Sequence, residues 1–167
     1  VEHPEILTVD GEHCIATWHN VLIQIWRKET TSSAISNLDR LTRMFIARSR
    51  LPVCSIAVVE KTSPPPSDAV RSALAAFYKE LAPQMSVAVV IAEGGGFRGA
   101  IVRGVGLTLS TFAPRALPFQ FATTVNEGAK FVAPHLPAAA RGAIGLEGTI
   151  DNLRTKIPAD VAAQLSR

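Results

Sequence analysis

The feature that most constrains this chain is the run Val87-Ala88-Val89-Val90-Ile91, which leads into Glu93-Gly94-Gly95-Gly96-Phe97-Arg98. Consecutive apolar residues, nearly all of them β-branched, suit a strand covered on both faces, as in a largely parallel sheet. Such a strand sits mid-sheet. The glycines that follow allow positive φ and close backbone approach, and the helix predicted from about Phe97 to Phe112 would present unpaired N–H groups at its first turn. Gly94, Gly95, Gly96 and Arg98 are therefore a candidate cradle for an anionic group, with Arg98 as its counterion. The stretch lacks the Lys-Ser/Thr of a phosphate loop and the spacing of a dinucleotide fingerprint, so a structural turn is the plainer reading.

A length of 167 residues suits one domain with a real core, and a hydrophobic content of 47% against 19% charged favours a globular fold over disorder. No apolar run is long enough for a membrane span, and no export leader stands out. Cys14 and Cys54 lack metal or redox spacing and read as buried, reduced thiols, which fits the cytoplasm. His3, His13, His19 and His135 are scattered without the spacing that puts two ligands on one helix face, so no metal and no cofactor are expected.

The net charge of +3 is mild, and its distribution says more. Glu2, Glu5, Asp10 and Glu12 stand near the start without a basic residue, whereas Arg27, Lys28, Arg40, Arg43, Arg48 and Arg50 follow against Glu29 and Asp39. Nucleic acid would call for a denser stripe with stacking aromatics. The plain reading is a solvated basic helix face; its functional use is an acidic protein partner, with Arg40 and Arg43, together with Ser63 and Ser67 in the Thr62–Ser67 loop, as candidate contacts.

Along the chain, Ile6–Val9, the Asp10-Gly11 turn signal and Cys14–Thr17 read as a hairpin, followed by a strand over Val21–Arg27. In that strand Val21, Ile23 and Ile25 point one way and Leu22, Gln24 and Trp26 the other, which places it inside the sheet. Trp18-His19-Asn20 forms the bend before it, where asparagine tolerates the left-handed region. Helix one is predicted over Thr31–Arg48, with Thr30 or Thr31 as cap and Ala34, Leu38, Leu41 and Phe45 as its buried stripe. Val53–Val59 is the next strand. The segment Thr62-Ser63-Pro64-Pro65-Pro66 reads as a stiff exposed loop that ends in Ser67 as the N-cap of helix two, Asp68–Ala82. Phe119–Ala122 is a short strand, and Thr124 with Glu127 makes a capping-box pattern for a short helix. Residues 137–148 read as a linker before a terminal helix around Ile150, Leu153 and Ile157. The expected organisation is thus an α/β domain over 1–136 and a linker with a C-terminal helical tail over 137–167.

That order of elements, with Val53-Cys54-Ser55-Ile56-Ala57-Val58-Val59, the proline-rich approach to helix two, Glu93-Gly94-Gly95-Gly96-Phe97-Arg98-Gly99-Ala100 and Pro118-Phe119-Gln120-Phe121-Ala122-Thr123-Thr124-Val125-Asn126-Glu127-Gly128-Ala129, resembles bacterial proteins of the SpoIIAA-like (STAS) type over residues 5–135. The resemblance implies a mixed, mostly parallel sheet with crossover helices, and a non-enzymatic regulatory or signalling module that binds a protein partner in the cytoplasm. Some of these proteins are switched by phosphorylation in an Asp-Ser-Ser/Thr-Gly turn. This chain has Glu60-Lys61-Thr62-Ser63-Pro64 there, so Ser63 is only the nearest hydroxyl by position and Ser67 is more simply a cap. The rival reading is a small anionic-ligand (phosphate or nucleotide) binding protein or enzyme using the Gly94–Arg98 turn. An apolar patch on the tail or helix three would favour a homodimer.

Overall fold

The computed structural model describes residues 3–94 and 117–159. Six strands form one sheet: β1 (Glu5–Val9), β2 (His13–Trp18), β3 (Val21–Trp26), β4 (Val53–Val59), β5 (Met85–Ala92) and β6 (Phe119–Ala122). They lie side by side in sequence order. The pairs β1–β2 and β2–β3 are antiparallel, whereas β3–β4, β4–β5 and β5–β6 are parallel. The expected mixed, mostly parallel α/β sheet is thus present. β5 is an inner strand, as its apolar run implies, although only β6 separates it from the edge.

The helices among the described residues are α1 (Ser32–Arg48), α2 (Asp68–Leu81), α3 (Val125–Val132) and α4 (Gly142–Arg154). The connections β3–α1–β4 and β4–α2–β5 step across the sheet in the same direction. Crossovers of one hand must then put both helices on one face, and α1 and α2 do share a core with Ile15, Leu22, Trp26 and Ala88. On the other face α3 and α4 pack over Ile23, Ile25, Ile56, Val58, Val89 and Ile91. The result is three layers, α/β/α, around a sheet whose inner strands are buried on both sides, as their uninterrupted apolar sequences require.

Local chemistry starts α1, α2 and α3 where it was expected to. The hydroxyls of Thr31, Ser67 and Thr124 accept from the backbone N–H of Ala34, Val70 and Glu127 at 3.2, 3.3 and 3.2 Å. In α3 the reciprocal bond differs from the standard box: Glu127 accepts from the N–H and hydroxyl of Thr123, one residue before the cap. Gly128 lets α3 approach the sheet, because a Cβ there would stand 2.6 Å from Cδ1 of Ile91.

Three expectations are corrected. Residues 137–148 are not a linker: Ala138–Ala140 is a 3-10 turn and Gly142 begins α4, whose Leu146, Ile150 and Leu153 are fully buried in the core of the domain. Glycines at 142, 145 and 148 masked the helical pattern, yet a Cβ at position 145 would strike the carbonyl oxygen of Ala140 in the preceding turn and also crowd the Trp18 ring. The bend before β3 takes its positive φ at His19, not at Asn20; the Asn20 amide instead ties the turn to the carbonyls of Pro52 and His135 at 3.0 and 3.1 Å. The proline loop is exposed only in part, since Ser63 is 1% exposed. The predicted helix over 97–112 lies outside the described residues.

Candidate functional site

In open parallel sheets the space beyond the carboxyl ends of the strands is where ligands are held. Here Trp26, Val59 and Ala92 stand in register across β3, β4 and β5. The next residues, Arg27, Glu60 and Glu93, continue that row: the N–H of Glu60 donates to Trp26 at 2.9 Å and that of Glu93 to Val59 at 3.0 Å. By alternation their side chains fall on the α4 face, and the last turn of α4 adds Arg154.

The four charges neutralise one another. Arg27 Nε lies 2.7 Å from Glu60 Oε2, Arg154 Nη2 lies 2.5 Å from Glu93 Oε1, and Arg154 Nε approaches Glu60 Oε1 at 3.8 Å. Arg27 also donates to the carbonyls of Ile157 and Arg154 at 3.3 and 3.4 Å. Its guanidinium is held further into the charged form than usual by the hydrogen bond to Glu60, which outweighs the cost of burial; the Glu60 charge adds the least. The row therefore seals the α4 side of the strand ends and fastens α4 to the sheet.

On the α1/α2 side the same strand ends enclose a cavity of about 60 Å³. Trp26, Val59, Leu74 and Phe121 give it apolar walls, Pro64 and Pro66 close it, and Gln24 and Tyr78 are its polar floor. Gln24 Nε2 donates to Ser55 Oγ at 3.1 Å. The fully buried Tyr78 hydroxyl joins both; burial raises its pKa, and the bonds to Ser55 and Gln24 offset part of that rise. This floor satisfies itself within the protein, as buried polar groups must.

The residues singled out in the sequence do not gather at one place. Gly94 has φ +99, the conformation that favours glycine, and its Cα faces Lys61 closely enough that a Cβ would lie 3.4 Å from Lys61 Cβ. Gly95, Gly96 and Arg98 lie outside the described residues. Ser63 Oγ donates to the Lys28 carbonyl at 2.7 Å and Thr62 Oγ1 to that of Arg27 at 2.6 Å, so both hydroxyls pin the loop to the start of the β3–α1 connection. Ser67 is the cap of α2. Arg43 bridges Asp39 and Glu80 at 2.8 and 2.6 Å, joining α1 to α2. Arg48 is paired with Glu5 at 2.7 Å. Among the described residues, Arg40 hydrogen-bonds only to Asn37 and the Met44 sulfur. The basic face is thus largely neutralised, and Arg40 is the cation of the candidate pair left without a carboxylate. Cys14 and Cys54 are buried free thiols. Burial, helped by Asp10, pushes the Cys14 pKa up to about 11, and burial also raises that of Cys54.

The Arg27–Glu60–Glu93–Arg154 row was missed in the sequence. A signal existed, since each of three apolar runs ends in a charge, but only the register across the sheet makes those charges neighbours. No helix among the described residues is long and apolar enough to cross a membrane. The fold and the strand-end row define an α/β domain with a mixed six-stranded sheet. No protein-family model matches the chain, and no curated protein matches it.

Proposed function

We propose that this domain is a non-enzymatic regulatory module of the SpoIIAA-like (STAS) kind, which works in bacterial signalling by binding a partner protein with its outer surface. The observation that carries this reading is the closure of the strand ends among the described residues. A site for a nucleotide-sized ligand is generally ~300 Å³ or more, whereas the cavity there is about 60 Å³ and the adjoining charges are spent on one another. The hydroxyls nearest to it, on Thr62 and Ser63, hold backbone carbonyls, and both thiols are buried. Covalent chemistry needs a nucleophile beside a base, and these groups are engaged in structure. A phosphoswitch at Ser63 would further require the loop to detach from Lys28 before a kinase could reach it.

The test is affinity capture from native lysate with the wild-type domain and an Arg40→Glu variant, Arg40 being chosen because its reversal breaks no ion pair. The expected result is a saturable protein complex weakened in the variant, with no turnover. The rival anionic-ligand reading predicts instead that phosphate-bearing compounds raise the melting temperature and that Arg98→Ala removes the effect. That outcome, with no partner retained, would overturn the proposal.

A further inference from the structure

The end of the domain opposite the charge row carries two grooves of about 510 and 500 Å³ that meet at His19. The first runs between the start of β1 and the end of α1, the second between the β2–β3 bend and the first half of α4. Their lining is unusual for this molecule in three respects.

The first is charge. Arg48, Arg50 and Arg141 line the grooves with His3 and His19, and the only carboxylate among the lining residues is Glu5, which Arg48 already neutralises. Among the described residues Arg50 and Arg141 have no acidic partner, whereas Arg27, Arg43 and Arg154 elsewhere all do. The second is apolar exposure: Leu51 is 49% and Ile144 82% exposed, one in each groove. The third is local geometry. The only non-glycine residues with positive φ among those described, His19 and Arg141, both line the second groove, and such conformations cost energy that the surroundings must supply. Arg141 also leaves the first turn of α4 without a side-chain cap. Trp18, 5% exposed in the wall between His19 and Gly145, has an indole N–H with no partner.

We propose that this composite groove docks an extended, acidic segment of a partner protein, with carboxylates toward Arg50 and Arg141 and an apolar side chain against Ile144. Charge complementarity excludes a basic occupant, since the grooves offer cations and N–H donors with one already-paired carboxylate. The exposed Leu51 and Ile144, with Phe45 and Trp18 buried so that neither ring is presented for stacking bases, favour an acidic peptide over nucleic acid. A free N-terminal turn adds favourable dipole for a carboxylate near Arg141. Paired surface cations contribute little to association, whereas free ones steer an opposite charge and set its register. This inference rests on the protein-binding reading above and names the surface it would use.

The experiment is selection of a displayed library of random short peptides on the full chain, followed by binding measurements on the enriched peptides with Arg50→Glu/Arg141→Glu and with Ile144→Ser. Both substitutions fall at side chains without partners in the fold, and unchanged melting temperatures will verify that. The expected result is enrichment of peptides that combine Asp or Glu with an apolar residue, with binding weakened about tenfold or more by the charge reversal and weakened also by Ile144→Ser. Enrichment of neutral or basic peptides, or none, overturns the proposal. Peptides insensitive to both variants but lost in Arg40→Glu place docking on α1; they sink this surface while leaving the regulatory reading standing.

Discussion

Arg27 and Glu60, 33 residues apart, meet through two hydrogen bonds, Nε to Oε2 at 2.7 Å and Nη2 to Oε1 at 3.3 Å, one step beyond the last paired residues of β3 and β4. The Glu60 side chain is 12% exposed and also faces Arg154. Removing it leaves two guanidinium groups facing each other with one counterion lost.

Glu60→Ala is therefore expected to destabilise the domain by about 1–3 kcal/mol, below the range for a fully buried pair because Arg27 keeps some contact with solvent. Urea unfolding measures it. Loss of less than Arg43→Ala, whose pairs are exposed, would show that the row does not fasten α4.

Three glycines make a graded prediction. Alanine at position 145 would put a Cβ 2.0 Å from the Ala140 carbonyl oxygen, and at position 128 it would put one 2.6 Å from the movable end of Ile91. At position 148 nothing lies within 4 Å. Gly145→Ala should cost the most, Gly128→Ala about 1–3 kcal/mol, and Gly148→Ala should stabilise by up to about 1 kcal/mol through helix propensity. Thermal melts of the three variants give the order directly.

With its pKa near 11, Cys14 is a thiolate in roughly one molecule in a thousand at pH 8, and Cys54 is shifted the same way by burial. Thiol reagents should label neither cysteine quickly in the native protein and both at once in denaturant. Rapid labelling of one under native conditions would contradict the packing around it.

Glu127 is held below the usual carboxylate range, chiefly by the backbone N–H of Thr123 and then by its hydroxyl. A carboxylate whose pKa is lower folded than unfolded contributes stability that is present above its unfolded pKa and lost as pH falls through the folded one. Wild type should therefore melt above Glu127→Gln at neutral pH, and the gap should close in strong acid. A constant gap would mean that the Thr123 bonds do not depend on ionisation.

Periodicity and capping chemistry were enough to locate α1, α2 and α3, because each shows a hydroxyl near the N–H it accepts from and an apolar stripe at helical spacing; β3, β4 and β6 were legible as short runs rich in apolar residues between turn signals. The same reasoning failed at α4, where Gly142, Gly145 and Gly148 looked like a linker. Gly142 takes a positive φ, Gly148 has open space beside it, and Gly145 meets both the Ala140 carbonyl of the preceding turn and Trp18, which is far away in sequence.

By itself, then, the sequence determined the class of fold: apolar runs too continuous for a half-exposed sheet, separated by amphipathic helices, must end as a largely parallel sheet between layers. Which charges stay free is settled by packing between elements. Arg27 reads like Arg40 and Arg50 along the chain, but strand register brings Glu60 to it, and α2 adds Glu80 to the Asp39 that Arg43 already has four residues before it. Among the described residues, Arg50 and Arg141 have no acidic partner at the other end of the sheet. Coulomb attraction acts over a few ångströms of space, and sequence distance carries no information about which residues the register of a parallel sheet sets side by side.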